Sequence, residues 1–239
     1  MPGYQTQQEQ VEIAGAAPLQ MRSLLDRQQF NDPLGAAARL GISSATWPLF
    51  GMLWPSGAHL AARMAMHALQ PGQRILEVGC GLALASLVGH RRGADMTASD
   101  CHPLAAEFLR TNLQLNGLPP MKYRHGEWDC TLQGGAAQEA VSQRYELIIG
   151  SDVLYDRDAA AALAGFIGRH ASESAASEVW IVDPERGNRS VFTRRMAVLG
   201  YGLKQVRIDT PATLTAPAYR GRLLRYWRAP KAAVAAAAT

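Results

Sequence analysis

The sequence predicts an α/β fold, in which a doubly wound, mostly parallel sheet of seven strands follows an N-terminal helical extension and ends in an antiparallel hairpin. From Arg74 onward, short apolar runs alternate with segments of helical periodicity, which is the pattern of parallel strands with helices on both faces. A glycine-rich turn directly follows the first of these runs. The last two runs have no helix between them, so they are expected to pair in antiparallel fashion.

The individual elements follow in order from the local pattern. RILEV at 74–78 is a continuous apolar run of the kind that fills the centre of a parallel sheet. Pro103 stands near the start of a helix, where its missing N–H is tolerated. The predicted strands are 74–78, 94–99, 121–128, 145–151, 178–183, 203–209 and 222–229. The predicted helices are 83–90, 103–116, 159–169 and 189–199, with 133–143 a loop or short helix.

Residues 1–70 are predicted to form a helical extension that serves as a lid. Helical periodicity extends over 19–30 and again over 56–69, where Ser56 is a candidate N-cap. Gln70-Pro71-Gly72 ends the second helix. The main domain is predicted over 71–230, and the alanine-rich residues 231–239 are predicted to be a disordered tail.

Composition limits the class of protein. Hydrophobic residues make up 48% of the chain and charged residues 18%, as in ordinary globular proteins. Residues 40–62 contain no charge, but prolines, glycines and serines interrupt this stretch, whereas a membrane span needs about 20 mostly apolar residues. We therefore expect no membrane span, and the polar N-terminus shows no secretory signal. A cytoplasmic protein with reduced thiols and no metal site is indicated by three scattered cysteines, Cys80, Cys101 and Cys130.

The charge is distributed unevenly along the chain. Residues 186–239 carry 11 Lys and Arg against one acidic residue, whereas residues 1–185 carry 13 against 19. A basic region of this kind either faces an acidic partner, protein or nucleic acid, or forms a solvated arginine-rich hairpin. No aromatic-interleaved nucleic-acid motif accompanies these charges, so nucleic-acid binding is an alternative that the sequence does not favour.

The turn after the first predicted strand indicates a ligand site. In Glu77-Val78-Gly79-Cys80-Gly81, the glycines permit a tight turn and the close approach of a ligand to the backbone. The following helix presents unpaired N–H groups at its N-terminus. Asp100 ends the second strand, where a carboxylate can accept hydrogen bonds from both hydroxyls of a ribose. Together these features predict an adenosine-containing cofactor.

The turn departs from the dinucleotide-binding pattern G-x-G-x-x-G/A. Leu84 occupies the third position, where close packing of the helix requires a small residue. No cation stands in the turn to meet a diphosphate, and Glu77 instead suits a ligand with a cationic amine and a sulfonium. NAD is therefore the alternative cofactor rather than the favoured one.

Five motifs occur in order between about residue 45 and residue 228. They are Trp54-Pro55-Ser56-Gly57, the Glu-x-Gly-x-Gly turn, Asp100, Trp128 and Asp152-Val153-Leu154-Tyr155. This set resembles the seven-β-strand methyltransferases, most of all the protein-lysine branch that includes the lysine methyltransferases of the electron-transfer flavoprotein β subunit. The resemblance implies a Rossmann-like methyltransferase fold, S-adenosylmethionine as cofactor and a protein substrate. One departure is Ala83 at the third small position of the turn, where Ala still permits the turn.

The resemblance also implies a role for each matching position. Asp152 would orient the acceptor amine, and Tyr155 would wall the channel and contact a cation through its ring face. Asp183 and Arg186 belong to a D-P-x-R segment that either contacts substrate backbone or forms a simple Asp–Pro turn. The implied cofactor-binding residues are Trp54, Glu77, Gly79, Cys80, Gly81, Asp100, Trp128 and Ser151. The implied channel residues are Trp47, Phe50, Asp183 and Arg186.

Three functions remain open at the level of the sequence. The favoured one is protein-lysine N-methylation. The second is methylation of a small molecule, arginine, histidine or RNA, although the N-P-P-Y/F motif of base-amine and glutamine methyltransferases is replaced here by Ser151-Asp152-Val153-Leu154. The third is a non-catalytic cofactor-binding module. Substrate identity, degree of methylation, oligomeric state and the role of residues 1–44 do not follow from the sequence.

Overall fold

The computed structural model describes residues 3–128, 140–174, 177–212 and 218–228. The predicted tail at 231–239, most of the segment predicted at 133–143, and Cys130 lie outside these residues. The described elements are, in order, β1 (Thr6–Ile13), β2 (Ala16–Leu24), α1 (Ala36–Arg39), a 3₁₀ helix (Trp47–Gly51), α2 (Pro55–Ala65), β3 (Arg74–Val78), α3 (Leu84–Arg91), β4 (Asp95–Asp100), α4 (Ala105–Leu115), β5 (Lys122–His125), β6 (Leu147–Ser151), α5 (Arg157–His170), β7 (Glu178–Asp183), α6 (Arg189–Val198), β8 (Tyr201–Thr210) and β9 (Tyr219–Arg228).

Seven of these strands form one sheet in the order β5-β4-β3-β6-β7-β9-β8. The five strands from β5 to β7 in that order run parallel, and β9 pairs antiparallel with both β7 and β8. The predicted doubly wound sheet with an antiparallel C-terminal hairpin is therefore confirmed. The order of the strands reverses between β3 and β6, and in open α/β sheets ligands bind beyond the carboxyl ends of the strands at such a point.

Apolar layers cover both faces of this sheet. Successive strand residues point to opposite faces. Ile75 packs in the layer that contains α2, α3 and α4, whereas Leu76 packs in the layer that contains α5 and α6. Burial of one such side chain stabilises the fold by roughly 1.5–3 kcal/mol. Burial on both faces explains why the strands read as continuous apolar runs.

The N-terminal extension differs from the prediction, because residues 6–24 form a β-hairpin where 19–30 was expected to be helical. β1 and β2 pair antiparallel, and a two-residue turn joins Ile13 to Ala16. Leu19, Met21 and Ser23 are buried, a period of two that belongs to a strand. The expectation of a helix was wrong because this stretch has few apolar residues, and their spacing fits a helix as well as a strand. The pairing with β1 decides for the strand. Of the two helices predicted in this region, the second is observed as α2. The domain boundary at 70/71 stays a prediction.

Two asparagine side chains of α4 attach the hairpin to the sheet domain. Asn112 accepts a hydrogen bond from the backbone N–H of Arg22 at 2.7 Å and donates one to its carbonyl at 3.3 Å. Asn116 makes the same two contacts with Gln20, at 2.9 Å and 2.7 Å. These amides occupy the backbone groups that a neighbouring strand would pair, so the outer edge of β2 is covered by a helix.

Asn112→Leu is expected to lower the free energy of unfolding by about 1–3 kcal/mol, because the backbone groups of Arg22 lose their partners at a buried position. Hydrogen exchange at the Arg22 amide should accelerate while the amides of β3 stay protected. Asn116→Leu is the control, since Gln20 is exposed and can bind water instead. Unchanged exchange at Arg22 would contradict this account of the hairpin.

Candidate functional site

The turn between β3 and α3 has no space for side chains. Gly79 and Gly81 have φ angles of 55° and 51°, in the left-handed region that favours glycine. A Cβ on Gly81 would lie 2.8 Å from the carbonyl oxygen of Phe50, and one on Gly79 would lie 2.8 Å from Cγ1 of Val153. Ala83 also adopts a positive φ, 59°, so the alanine that departs from the family pattern is accommodated in the turn.

Asp100 connects this turn to the end of β4. Its carboxylate accepts hydrogen bonds from the N–H of Gly81 and from the N–H of His102, both at 2.8 Å. The side chain is buried, which raises the pKa of the carboxyl, and the two hydrogen bonds oppose that change. Each oxygen of a carboxylate has two acceptor sites, so Asp100 can still accept hydrogen bonds from a ligand.

Glu77 lies at the end of β3 and is only 3% exposed. One of its carboxylate oxygens accepts hydrogen bonds from the N–H and the hydroxyl of Ser86 in α3, at 2.8 Å and 2.5 Å. Burial raises the pKa of this carboxyl to about 7. Glu77 is thus held by α3, and very little of its surface is accessible to a ligand.

The other predicted cofactor residues surround the turn. The ring of Trp128 lies 3.5 Å from the position that a Cβ on Gly79 would occupy. Cys80 is buried, and its backbone N–H donates to the carbonyl of Ser99 in β4 at 3.0 Å. Ser151 ends β6, and its hydroxyl lies 3.7 Å from the Cβ position of Gly57 in α2. These residues come from separate segments of the chain, and the parallel sheet brings them together because its strands end at the same edge.

Asp152, Arg186 and Trp54 come together from three separate segments. Asp152 follows β6 with φ 59°, and its carboxylate accepts hydrogen bonds from Nε and Nη2 of Arg186 at 2.5 Å and 3.1 Å. The Arg186 guanidinium lies 5.8 Å from the ring centroid of Trp54. Trp54 precedes α2 as its N-cap residue, and its indole N–H donates to the carbonyl of Leu49 at 2.9 Å.

Asp183 forms the simple turn that was one of the two predictions for this segment. It is 1% exposed, and one carboxylate oxygen accepts a hydrogen bond from the N–H of Glu185 at 3.2 Å. The other oxygen has no hydrogen-bond partner among the described residues. Burial raises the pKa of the Asp183 carboxyl. Tyr155 is at the same end of the sheet and is 57% exposed.

Trp47 and Phe50 are placed differently from the expectation that they line a channel. Trp47 is 1% exposed and packs edge-on against Phe50 and His102. Phe50 stacks on His102 at a centroid distance of 3.6 Å, and its backbone carbonyl lies against Gly81 of the turn. We correct the assignment of Trp47, because an indole enclosed in an aromatic cluster has no face to offer an acceptor.

Sequence reasoning missed several residues around the site. Val153 packs on Gly79, and it could have been found because it lies inside the Asp152-x-x-Tyr155 motif. Arg27, which precedes all five motifs in the sequence, lies 4.5 Å from the Trp54 ring centroid. The hydroxyls of Ser56 and Tyr219 share a buried hydrogen bond of 3.0 Å across 163 residues. Nothing in the sequence signals these last two contacts.

In the described ranges, no group of three or more His, Cys, Asp or Glu side chains is arranged to hold a metal ion. None of the helices that the structure describes is long and apolar enough to cross a membrane.

A protein-family model described as lysine methyltransferase matches residues 48–196. The chain belongs to this lysine methyltransferase family. The matched range runs from the 3₁₀ helix to α6 and includes all five sequence motifs. The resemblance that those motifs predicted is therefore confirmed at the level of the family.

Individual relatives cover part of the chain. The electron transfer flavoprotein beta subunit lysine methyltransferase of Xenopus laevis is 27% identical over 148 residues, which are 60% of this chain and 55% of the relative. A histone-arginine methyltransferase of Mus musculus is 30% identical over 112 residues, 45% of this chain and 42% of the relative. The chain spans about half the length of the curated relatives it matches.

Among solved structures, the chain is similar to the magnesium protoporphyrin IX methyltransferase of Synechocystis PCC 6803 with bound S-adenosylmethionine. The TM-score is 0.54 at 16% identity, and the match covers 72% of this chain and 78% of the other. At this identity the likeness shows the fold, which is the Rossmann-like methyltransferase fold that the sequence predicted.

Glu77→Gln is expected to remove a pH dependence of stability. A folded pKa of about 7, above the ordinary 4.5, gives stability that is fully present below about pH 4.5 and is lost as the pH rises through 7. The free energy of unfolding of the unmodified protein should therefore fall, by on the order of 3 kcal/mol, between pH 4.5 and pH 7.5 relative to the variant. Denaturant titrations without ligand measure this difference.

Glu107→Gln on α4 is the control for that experiment, because Glu107 is a partly exposed residue paired with Arg22. It should change the pH dependence far less than Glu77→Gln. Parallel pH profiles of Glu77→Gln and the unmodified protein would show that Glu77 titrates as an ordinary exposed acid.

Proposed function

We propose that this protein is an S-adenosylmethionine-dependent methyltransferase that methylates a lysine side chain of a protein. The observation that carries the proposal is the position of Asp152 at the end of β6, next to the glycine turn at the end of the neighbouring β3. The cofactor-binding turn and the acceptor-binding carboxylate thus share one edge of the sheet. Membership of the lysine methyltransferase family supports the same function.

The residues around the turn fit this cofactor. Gly79 and Gly81 carry no side chain that would cover the backbone of the turn, so a ligand can lie against it. Asp100 keeps acceptor capacity for two ribose hydroxyls, and Trp128 offers a flat surface beside Gly79 for adenine. When bound, S-adenosylmethionine supplies a methyl group on a positively charged sulfur. The acidic residues Glu77 and Asp100 suit this charge.

The acceptor side of the site has to hold a neutral amine. A free lysine has a pKa of about 10.4, so its ammonium must lose a proton to water before the nitrogen lone pair can act. Asp152 accepts a hydrogen bond from the remaining N–H and aims that lone pair at the methyl carbon. Bound S-adenosylmethionine would supply the methyl group to this nitrogen and would leave as S-adenosylhomocysteine. Most of the rate comes from this alignment rather than from a strong base.

Arginine methylation is the second candidate function. The carboxylate of Asp152 already fits a guanidinium, since it binds that of Arg186 through two hydrogen bonds. A histone-arginine methyltransferase also occurs among the relatives. Product analysis in the experiment below separates methyllysine from methylarginine.

RNA as acceptor receives less support from the charges of the C-terminal region. Many of its arginines are paired with acidic residues rather than available for phosphates. These pairs are Arg186–Asp152, Arg189–Glu185, Arg207–Asp209, Arg220–Asp209, Arg222–Glu185 and Arg225–Glu178. Three of the acids involved precede residue 186, so the folded surface is less basic than the sequence count indicates. The cytoplasmic location and the lid role of residues 1–70 stay predictions.

Asp100→Ala is expected to weaken the binding of S-adenosylhomocysteine by roughly 10- to 100-fold, because hydrogen bonds to a charged group are each worth about 1.5–3 kcal/mol. Isothermal titration calorimetry measures the loss. Asp95→Ala at the start of β4 is the control, since its carboxylate pairs with Lys122 at the opposite end of the strand. Equal affinity of both variants would exclude Asp100 from the cofactor site.

Asp152→Ala is expected to reduce methyl transfer by at least about 100-fold while S-adenosylhomocysteine still binds, because the variant loses the alignment of the acceptor and leaves the glycine turn and Asp100 unchanged. The assay uses methyl-labelled S-adenosylmethionine with a cell lysate as acceptor, followed by acid hydrolysis and amino-acid analysis. Asp156→Ala, which removes only the N-cap of α5, is the control. Label in nucleic acid, or no label in methyllysine, would contradict the proposed function.

A further inference from the structure

We propose that Arg186 is a positioning residue that cancels the charge of Asp152, so that the site binds the acceptor lysine as a neutral amine. This inference rests on the proposed function. It concerns a contact that links the loop after β7 to the loop after β6, two segments that only the sheet brings together.

The contact has the geometry of a two-point ion pair. Arg186 donates from Nε to one oxygen of Asp152 at 2.5 Å and from Nη2 to the other at 3.1 Å. A carboxylate has about four acceptor positions, of which these hydrogen bonds use two. The Asp152 side chain is 11% exposed and that of Arg186 is 41% exposed. Asp152 therefore keeps acceptor positions and some open surface for an incoming N–H group.

Trp54 holds the arginine in this orientation. The Arg186 guanidinium lies 5.8 Å from the Trp54 ring centroid, and the ring is itself fixed by its hydrogen bond to Leu49. Arg27 approaches the same ring at 4.5 Å. A cation beside an aromatic ring is attracted to its face, which stabilises Arg186 without consuming its hydrogen bonds to Asp152. The ion pair is therefore part of a fixed arrangement.

The charge of this pair decides which form of a lysine the site prefers. An isolated carboxylate stabilises an ammonium and raises its pKa, which works against loss of the proton. A carboxylate already paired with a guanidinium gives no such net attraction, and the fixed positive charge disfavours a second cation. Arginine keeps its charge at all working pH values, and the hydrogen bonds to Asp152 raise the pKa of Arg186 further.

Other ionisable groups surround the pair and have to be considered with it. Asp183, at the end of β7, interacts electrostatically with both Asp152 and Arg186. Without Arg186, the site would therefore hold the partly buried carboxyl of Asp152 and the buried carboxyl of Asp183, with no ion pair to either among the described residues. The remaining groups that face the pair, directly or through these partners, are Tyr219 from β9, Arg189 from α6, Glu185 from the loop after β7, and Arg27.

The test compares pH profiles of Arg186→Gln, Arg186→Lys and the unmodified protein. The acceptor is the lysate protein that acquires methyllysine in the assay above, and saturating S-adenosylmethionine is used. Arg186→Gln should shift the acidic limb of the kcat profile up by about one pH unit, so that the rate at pH 7 falls about tenfold and recovers at high pH. Arg186→Lys keeps the charge, so its limb should stay in place even if its rate is lower.

A second measurement does not depend on turnover. Nα-acetyl-lysine N-methylamide labelled with ¹³C at its ε carbon is added to the protein with S-adenosylhomocysteine, and the chemical shift of the bound form reports its protonation. The unmodified protein should bind the neutral amine at pH 8, and Arg186→Gln should bind the ammonium. Arg207→Gln, in the exposed pair with Asp209 on β8, is the control and should behave as the unmodified protein.

The outcomes separate this inference from the proposed function. Absence of methyllysine with the unmodified protein contradicts the proposed function. With methyllysine formed, an equal loss of rate at every pH in Arg186→Gln would show a merely structural role and overturn the inference. A faster Arg186→Gln enzyme, or an unmodified protein that binds the lysine analogue as an ammonium or not at all, would overturn it as well.

Discussion

The parallel pairing of β3 with β4 on one side and with β6 on the other is the constraint on which the site depends. Backbone hydrogen bonds place Val78 beside Ser99 and Glu77 beside Ile149, so the three strands end at the same edge. The glycine turn follows β3, Asp100 is the last residue of β4, and Asp152 follows β6. Because helices cover both faces of the sheet, this edge is where backbone groups and polar side chains remain available to a ligand.

Three acids at this edge of the sheet are stabilised by different partners. Glu77 binds the N-terminal turn of α3, Asp100 binds two backbone N–H groups, and Asp152 binds a guanidinium. Burial raises the pKa of Glu77 and of Asp100, which is the cost of keeping negative charge out of water. A cationic ligand would relieve that cost, so the site is electrostatically prepared for a sulfonium compound and less so for a diphosphate.

The domain from Arg74 onward could be predicted closely because short apolar runs alternate regularly with segments of helical periodicity. Strands β3 and β7 have the predicted bounds, and the bounds of the other strands of this region differ by at most three residues. The hairpin at 6–24 could not be predicted in this way, because Leu19 and Met21 are too few to distinguish a strand from a helix. Its edge is completed by asparagines of α4 that lie 90 or more residues away.

The sequence by itself determined the α/β class, the family and the residues that follow each strand, since apolar period and local turn chemistry act over short distances. Only the tertiary structure decided which of these residues meet. It enclosed Trp47 among aromatic rings, held Glu77 against α3 and joined Arg186 to Asp152. The physical reason is that burial and ion pairing depend on which strands are neighbours, and strand order is set by the packing of the whole sheet.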